Sequence, residues 1–342
     1  MSQGSKARIV GRTPWSARVP QDPHVSVWHA LNNRDTVRAS ADMHIPDNFL
    51  STPVWAALDA ISIPAVALLA RRAGRELDDT RIPLLGVMGA FVFAAQMINF
   101  PVGIGTSGHL VGGALLACML GPAPAALVMT AIIAIQAFVF QDGGVLALGA
   151  NVFNMAIAGV LAGYLPIHFW GRTKRRKQAI FAGAFLSVMA SASLALGELL
   201  ISGIAMPRPV ILLSLALFAM SALIEGAITI AVVEAIEKLN PGLVQKTRAS
   251  SGRAIVALGV AALLLGGVGF LMASSAPDGI QQIGVQLGLA AKTGFHAPLA
   301  DYAVGYFESS WLRRASAGLA GLLLIYGVCL GAGRWIGRQR SA

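Results

Sequence analysis

One short stretch of the sequence carries donor atoms at the spacing of a transition-metal chelate. In "MHIPDNFLS", Met43 is followed directly by His44. A free α-amine on Met43, the amide nitrogen of His44 and the His44 imidazole would close a five-membered and then a six-membered chelate ring. One imidazole from elsewhere in the chain would complete a planar set of four nitrogens, the geometry that favours Ni(II) or Cu(II).

This chelate forms only if Met43 is the first residue of the chain. With Asp42 attached, the Met43 nitrogen is an amide whose lone pair is delocalised, so it is no longer a good ligand. Residues 1–42 are polar and basic, and they lack the apolar region of a signal peptide. We therefore expect them to be a disordered leader or a mis-assigned start, and Met43 to be the true N-terminus.

His109 is the candidate for the fourth nitrogen. It follows "QMINFPVGIGTSG", in which Pro101 and three glycines predict irregular backbone. Such backbone near membrane depth is tolerated where it is buried in protein or lines a cavity. We expect His109 to open the next helix at the same face as His44. Spacing alone also allows an interfacial histidine whose partner is a carbonyl group or water.

The elements that must position these residues are membrane helices. The chain of 342 residues is 56% hydrophobic and only 12% charged, about half the charge of a typical soluble protein. Apolar runs of about 18 residues or more are typical of membrane spans. We predict an all-α polytopic membrane protein with apolar spans at roughly 54–70, 82–98, 109–120, 123–140, 149–170, 179–203, 210–236, 254–273 and 315–333.

These spans fall into two blocks. The first seven have short loops and predict a helical bundle over residues 43–250. The last two flank a long outer segment, which predicts a two-helix hairpin with an extracytoplasmic insert over residues 251–342.

The basic residues orient this arrangement in the membrane. They cluster in short segments between the apolar runs, as the positive-inside rule describes, at 71–81, 171–177, 237–253 and 333–340. This pattern puts the Met43 end outside and the C-terminus in the cytoplasm. The formal charge of +10 is thereby explained without a nucleic-acid partner.

A second kind of chemistry comes from carboxylates in or near the ends of the apolar spans, where ionisable groups are rare and often functional. These residues are Asp59, Glu198, Glu225 and Glu234. Asp59 and Glu225 could relay protons in a stand-alone secondary carrier. Alternatively, each carboxylate is hydrogen-bonded between helices or reaches an interface.

The first two motifs resemble a known family. "MHIPDNFLS", followed by "QMINFPVGIGTSGHLVGGALLACMLGP", resembles the CbiM/NikM family over roughly residues 43–250. These proteins are substrate-binding (S) components of energy-coupling-factor (ECF) transporters for cobalt and nickel. The later "PDGIQQIGVQLG" and "PLADYAVGYF" resemble the NikN-type PDGLE module, so the chain is similar to a NikMN-type fusion. Two departures are Asn48, where the family usually has glycine, and Gln281, where Leu-Glu is usual after "PDG".

The resemblance implies which atoms bind the ion. They are the Met43 amine, the His44 backbone nitrogen, and the side chains of His44 and His109. Asn99 and Ser107 lie in the matching stretch and are candidates for the residues that orient these ligands. The bound ion, Ni(II) in preference to Co(II), would be the transported substrate.

The same resemblance implies an external source of energy. No Walker A motif, G-x-x-x-x-G-K-[ST], occurs in the sequence, so we expect ATP hydrolysis on separate subunits. The implied partners are a CbiQ/NikQ-like transmembrane coupling subunit and CbiO/NikO-like cytoplasmic ATPases. The leading hypothesis is therefore an ATP-driven metal-uptake component, and the alternative is the stand-alone carrier. A membrane enzyme is disfavoured, because no acid/base pair lies near His44 or His109 in the sequence.

Overall fold

Several helix boundaries in the computed structural model are set by proline. Proline lacks a backbone N–H and is accepted in the first turn of a helix, where that group has no partner. Four helices begin in this way, with Pro53, Pro83, Pro122 and Pro209 in their first turns.

The structure describes residues 44–103, 106–240, 252–271, 280, 296–304 and 306–338. The leader, Met43, the linker at 241–250 and most of the predicted outer insert lie outside these ranges. The described residues form one compact unit.

The described part of the chain is almost entirely helical. Its helices are α1 (Thr52–Glu76), α2 (Ile82–Gln96), α3 (Gly113–Leu120), α4 (Pro122–Phe140), α5 (Leu148–Trp170), α6 (Arg176–Ile201), α7 (Arg208–Leu239), α8 (Gly252–Val268) and α9 (Ser310–Arg338). Within these ranges, 6 helices are long and apolar enough to cross a membrane: α1, α4, α5, α6, α7 and α9. The prediction of an all-α polytopic membrane protein is confirmed.

The helices α2, α3 and α8 are shorter than the spans predicted for them. Helix α3 lies between two glycines with positive φ. Gly112, which precedes it, has a φ of 80° in the left-handed region, and Gly121, which follows it, has a φ of 89°. The chain then enters α4 at once, and α3 and α4 pack against each other as a tight helical hairpin. Helix α2 ends at Gln96, because the chain turns there into two short strands.

These strands form a β-ribbon between α2 and α3, where the sequence predicted irregular backbone. Strand β1 (Phe100–Gly103) pairs antiparallel with β2 (Thr106–Gly108). Phe100 lies opposite Gly108, Pro101 lies opposite Ser107, and a register irregularity follows Pro101. Proline is accepted in such an edge position because its missing N–H is not needed there. His109 directly follows the second strand of this ribbon.

Close helix packing supports this arrangement. A Cβ on Gly183 of α6 would lie 2.4 Å from the carbonyl oxygen of Gly163 in α5. Small residues of this kind let membrane helices approach closely. Helices α8 and α9 pair with each other and both pack against α2, so the C-terminal hairpin contacts the N-terminal bundle directly.

Two π-helical turns lie at the end of α4 and near the start of α5, at Gln136–Phe140 and Val152–Gly159. Wider turns of this type occur frequently at functional sites. Between them runs the loop at 141–147, and the segment that follows Met43 packs against this loop.

Candidate metal centre

The segment that follows Met43 is buried and fixed through its backbone. The Ile45 N–H donates to Oδ1 of Asn151 at 2.8 Å, and Nδ2 of Asn151 donates to the Ile45 carbonyl at 3.1 Å. The Gly144 N–H donates to the same carbonyl at 2.9 Å. Because both backbone groups of Ile45 are bound in this way, the chain next to it, including His44, has a defined position beside α5.

A turn after Pro46 continues this attachment. Oδ1 of Asp47 accepts a hydrogen bond from the Leu146 N–H at 2.8 Å. Asn48 has a φ of 69°, in the left-handed region that glycine adopts freely and that Asn tolerates best among other residues. The asparagine that replaces the family's usual glycine is therefore compatible with the turn.

The loop at 141–147 comes so close to this segment that it needs glycine. Gly143 has a φ of 93°, and a Cβ there would lie 2.8 Å from Cβ of His44. A Cβ on Gly144 would lie 2.5 Å from the backbone nitrogen of Asp47. The two glycines thus allow backbone to cover His44 on one side.

The structure brings His44 and His109 together inside the protein. Their ring centroids are 6.3 Å apart with an angle of 17° between the ring planes. The exposed fractions are 1% for His44 and 0% for His109. Two imidazoles that bind one ion at about 2 Å per nitrogen have their ring centres roughly 4 to 6 Å apart. In a planar set the two imidazoles would occupy adjacent corners, with ring centres near the lower end of this range, so the rings would have to approach by about 2 Å to bind the same ion.

His109 is in the neutral protonation state that a metal ligand requires. Nδ1 lies 3.0 Å from the carbonyl oxygen of Leu110, which can only accept, so Nδ1 carries the proton. Burial, against the opposing effect of the Leu110 carbonyl and with a smaller contribution from the neighbouring His44, lowers the pKa of His109 to about 4. The ring is therefore neutral at neutral pH, with its lone pair on Nε2, which is the form that binds metal ions.

His44 contacts a carboxylate that the sequence did not point to. Its Nδ1 lies 3.1 Å from Oδ1 of Asp142, and burial lowers the pKa of His44 to about 4. The neutral ring thus donates its Nδ1 proton to Asp142. The six-membered chelate ring uses this same Nδ1. An ion bound in that way must replace the proton and end the hydrogen bond to Asp142.

The chain after His109 is held by two buried polar side chains. Glu225 of α7 accepts hydrogen bonds from the N–H groups of Val111 and Gly112 at 2.7 and 2.9 Å. Nε2 of Gln96 donates to the Val111 carbonyl at 2.8 Å. A carboxylate is favourable at this place because it binds the free N–H groups that precede α3.

Asn99 and Ser107, the predicted orienting residues, are both buried beside the ribbon. Asn99 immediately precedes β1, and Ser107 lies in β2 opposite Pro101. The hydrogen bonds described for the two rings come from Asp142 and from the Leu110 carbonyl instead. The role of Asn99 and Ser107 therefore stays a prediction.

Sequence reasoning missed three residues of this site, namely Asp142, Asn151 and Tyr302. Asn151 lies inside an apolar run, and Asp142 lies in the "QDGG" loop directly after one. Buried polar groups must find partners, so a polar residue within or directly after an apolar run could have indicated these two positions. The hydroxyl of Tyr302 donates to Oδ2 of Asp142. Tyr302 comes from the C-terminal hairpin, and nothing in the sequence indicated that it lies near His44.

The remaining intramembrane carboxylates have structural partners. Oδ1 of Asp59 accepts from the Gly149 N–H at 2.7 Å, and Oε2 of Glu198 accepts from Nδ2 of Asn154 at 2.8 Å. Glu234 pairs with Lys177 at 2.5 Å. Together with the contacts of Glu225, these bonds favour the interpretation that the carboxylates fix helices to one another.

Side chains alone do not supply a complete set of metal ligands here. Across the described residues, no group of three or more His, Cys, Asp and Glu side chains is arranged to hold a metal ion. We predicted main-chain nitrogens as further donors of this site. The Met43 amine, which we predicted as one of them, lies outside the described residues.

Asn151→Leu tests the attachment of the segment beside His44. Leucine has a similar size but leaves the N–H of Ile45 and one bond to its carbonyl without the side-chain partner. Each buried group left unsatisfied costs about 1–3 kcal/mol. The Ile45 carbonyl keeps the hydrogen bond from the Gly144 N–H. One unsatisfied N–H and one lost bond should lower the free energy of unfolding in detergent by roughly 1.5–4.5 kcal/mol, measured by denaturant titration.

The matched control is Thr130→Val, which removes only a bond from the Thr130 hydroxyl to the Ala126 carbonyl within α4. This variant should unfold almost like the unsubstituted protein. Equal stability of Asn151→Leu and Thr130→Val would contradict the assigned role of Asn151.

Comparison with known proteins identifies the family. Residues 44–243 match the CbiM family, described as the cobalt uptake substrate-specific transmembrane region. Residues 252–338 match the PDGLE domain.

Individual relatives agree with these matches. A putative metal transport protein of Haloquadratum walsbyi is 40% identical over 203 residues, which cover 59% of this chain and 93% of that protein. A putative fused nickel transport protein NikMN of Archaeoglobus fulgidus is 33% identical over 292 residues, covering 83% of this chain and 95% of that protein.

A solved structure is also similar. The crystal structure of a truncated transition metal transporter superposes with a TM-score of 0.51 at 29% sequence identity, covering 57% of this chain and 99% of that one. The chain therefore belongs to the CbiM family, a family of membrane components of metal transport, and carries a PDGLE domain after the CbiM region.

Proposed function

We propose that this protein is the substrate-specific component of an ATP-driven uptake transporter for Ni(II), with Co(II) as the alternative ion. The observation that carries the proposal is the approach of His44 and His109 in a buried site, directly beside the fixed backbone of Ile45. Met43 is the residue next to His44, so its nitrogen can join an ion that His44 binds through its amide nitrogen and Nδ1.

The proposed ligands are the amine of Met43, the amide and side-chain nitrogens of His44, and the side chain of His109. Both imidazoles are neutral above a pKa of about 4, so they hold no positive charge against an incoming cation. Four nitrogens in a plane suit Ni(II), and the divalent-metal affinity order also favours nickel over cobalt. The relative named as a fused nickel transport protein points the same way.

The proposed partners are subunits that hydrolyse ATP and couple this hydrolysis to transport of the ion. The sequence contains no Walker A motif, which supports ATP hydrolysis on separate cytoplasmic subunits joined through a transmembrane coupling subunit. The basic segments at 71–81 and 171–177 support an orientation with the Met43 end outside and the C-terminus in the cytoplasm. The ion would then be captured at the outer face of the inner membrane.

Ni(II) uptake by cells that carry this protein and its partner subunits is expected to stop when the Walker A lysine of the ATPase is substituted. It should continue in the presence of a protonophore for as long as ATP is maintained. The reason is that Glu225 and Asp59 bind backbone N–H groups, which occupies the carboxylates that a proton-driven carrier would use. The measurement is uptake of radioactive nickel over time.

The opposite pattern would support the stand-alone carrier. Uptake that survives loss of the ATPase and collapses with the proton gradient would overturn the ATP-driven mechanism. It would leave the metal site itself untouched, because that site is tested by binding rather than by uptake.

A further inference from the structure

The C-terminal hairpin reaches the proposed ion site through one residue. The hydroxyl of Tyr302 donates to Oδ2 of Asp142, while Oδ1 of the same carboxylate contacts Nδ1 of His44. We propose that Tyr302 and Asp142 are part of the ion site, with Asp142 balancing the charge of the bound ion and Tyr302 holding Asp142 in place. This inference rests on the proposed function.

The position of Tyr302 is fixed by its surroundings. Its ring stacks on Phe140 with centroids 4.6 Å apart and 19° between the planes, and it lies 6.1 Å from the ring of Phe93. Its φ is 52°, an uncommon conformation for an aromatic residue, which persists only where contacts impose it. Burial and the Asp142 carboxylate raise the pKa of Tyr302 well above its usual value, so the phenol keeps the proton that it donates.

The backbone around Tyr302 is attached to the loop that carries Asp142. The Leu299 N–H donates to the Val139 carbonyl at 2.9 Å, and the Ala297 N–H donates to Oε1 of Gln141 at 3.2 Å. These bonds join the C-terminal segment, defined as residues 296–304, to the end of α4. The position of this segment is therefore fixed relative to the loop of Asp142.

A second line of hydrogen bonds runs from Tyr302 toward His109. Nε2 of Gln136 lies 3.4 Å from the Tyr302 hydroxyl and donates to Oε1 of Gln96 at 3.0 Å. Gln96 in turn donates to the carbonyl of Val111, two residues after His109. Tyr302 thus lies at the point where the supports of both histidines meet.

The charge of the bound ion gives Asp142 its role. A divalent ion bound by one deprotonated amide, one neutral amine and two neutral imidazoles keeps a net charge of about +1. Such a charge is costly inside a protein unless an opposite charge lies close by. The carboxylate of Asp142 lies on the Nδ1 side of His44, where the chelated ion would sit. Ion and carboxylate together would be neutral.

The experiment is a Ni(II) titration of the chain beginning at Met43 in detergent, with Asp142→Asn, Tyr302→Phe and the double variant. Asparagine keeps the shape of aspartate and removes its charge, so affinity should fall by about 10–100-fold, as for other outer ligands of metal sites. Tyr302→Phe keeps the stacking on Phe140 and removes the hydroxyl, so a smaller fall is expected. The ligand-field spectrum of bound Ni(II) should shift in both.

The double variant separates a positioning role from a structural one. If Tyr302 acts through Asp142, Tyr302→Phe should have little further effect on affinity when Asp142 is already Asn. Additive losses, or affinities and spectra equal to those of the unsubstituted chain, would overturn the inference while the proposed function stands. Tyr306→Phe is the matched control, because Tyr306 lies in the same region of the hairpin and is 90% exposed. Absence of binding by the unsubstituted chain would overturn both.

Discussion

A chain that begins at Met43 is expected to bind Ni(II) tightly, and the same protein with residues 1–42 attached is expected to lose that binding. The free amine has a localised lone pair, whereas the amide that joins Met43 to Asp42 does not. Because a ligand of the ion itself is removed, the loss should exceed the roughly 10–100-fold cost of changing an outer residue. Isothermal titration of the two chains in detergent measures the difference.

The same titration should show a defined pH dependence. An α-amine has a pKa of about 8 and must lose its proton to bind, as must the amide of His44. Both imidazoles are already neutral well above their pKa of about 4. Affinity should therefore rise with pH through the titration range of the amine, with no step in the range where an exposed histidine titrates.

Acetylation of the Met43 amine tests whether the leader acts through its size or by blocking the amine. It blocks the lone pair but adds only a few atoms, so it should reduce binding as strongly as the whole leader does. Tight planar binding by the 342-residue chain with its leader intact would contradict the role of the amine. Intact-mass analysis of the natively expressed protein would establish which N-terminus the cell produces.

The apolar pattern predicted the helices because burial in lipid depends on composition along a continuous run. Proline predicted the boundary near Pro122, between the third and fourth predicted spans, because it restricts the backbone locally. The start of α3 was predicted wrongly, since the helix begins at Gly113 and not at His109; the left-handed backbone of Gly112 ends the irregular segment there. The β-ribbon at Phe100–Gly103 was not predicted, since its strands are too short for an alternating pattern to appear.

The site was predictable only where its chemistry is local. Met43 and His44 are adjacent, so their chelate rings could be drawn from the sequence. The contacts of Asp142 with His44 and of Tyr302 with Asp142 join residues far apart in the chain, and no local spacing encodes them. Glu225 illustrates the same limit, because its carboxylate could equally have been a proton relay until its two backbone partners were known.

Substitution of either histidine is expected to abolish stoichiometric Ni(II) binding by the chain that begins at Met43. His109→Gln removes the fourth nitrogen, and the three donors of Met43 and His44 cannot complete a planar set alone. His44→Gln removes the six-membered chelate ring and the contact of the imidazole with Asp142. His44→Ala and His109→Ala should lose binding as well, with an added loss of stability from the cavity in a buried site.

The control for these variants is His168→Gln, because His168 is exposed at the end of α5 and far along the chain from both ligands. It should bind Ni(II) like the unsubstituted chain. An unchanged titration in His44→Gln or His109→Gln would exclude that residue as a ligand. Thermal unfolding without metal separates the two effects: a folded His109→Gln variant that no longer binds Ni(II) has lost a ligand, because its fold remains while its affinity does not.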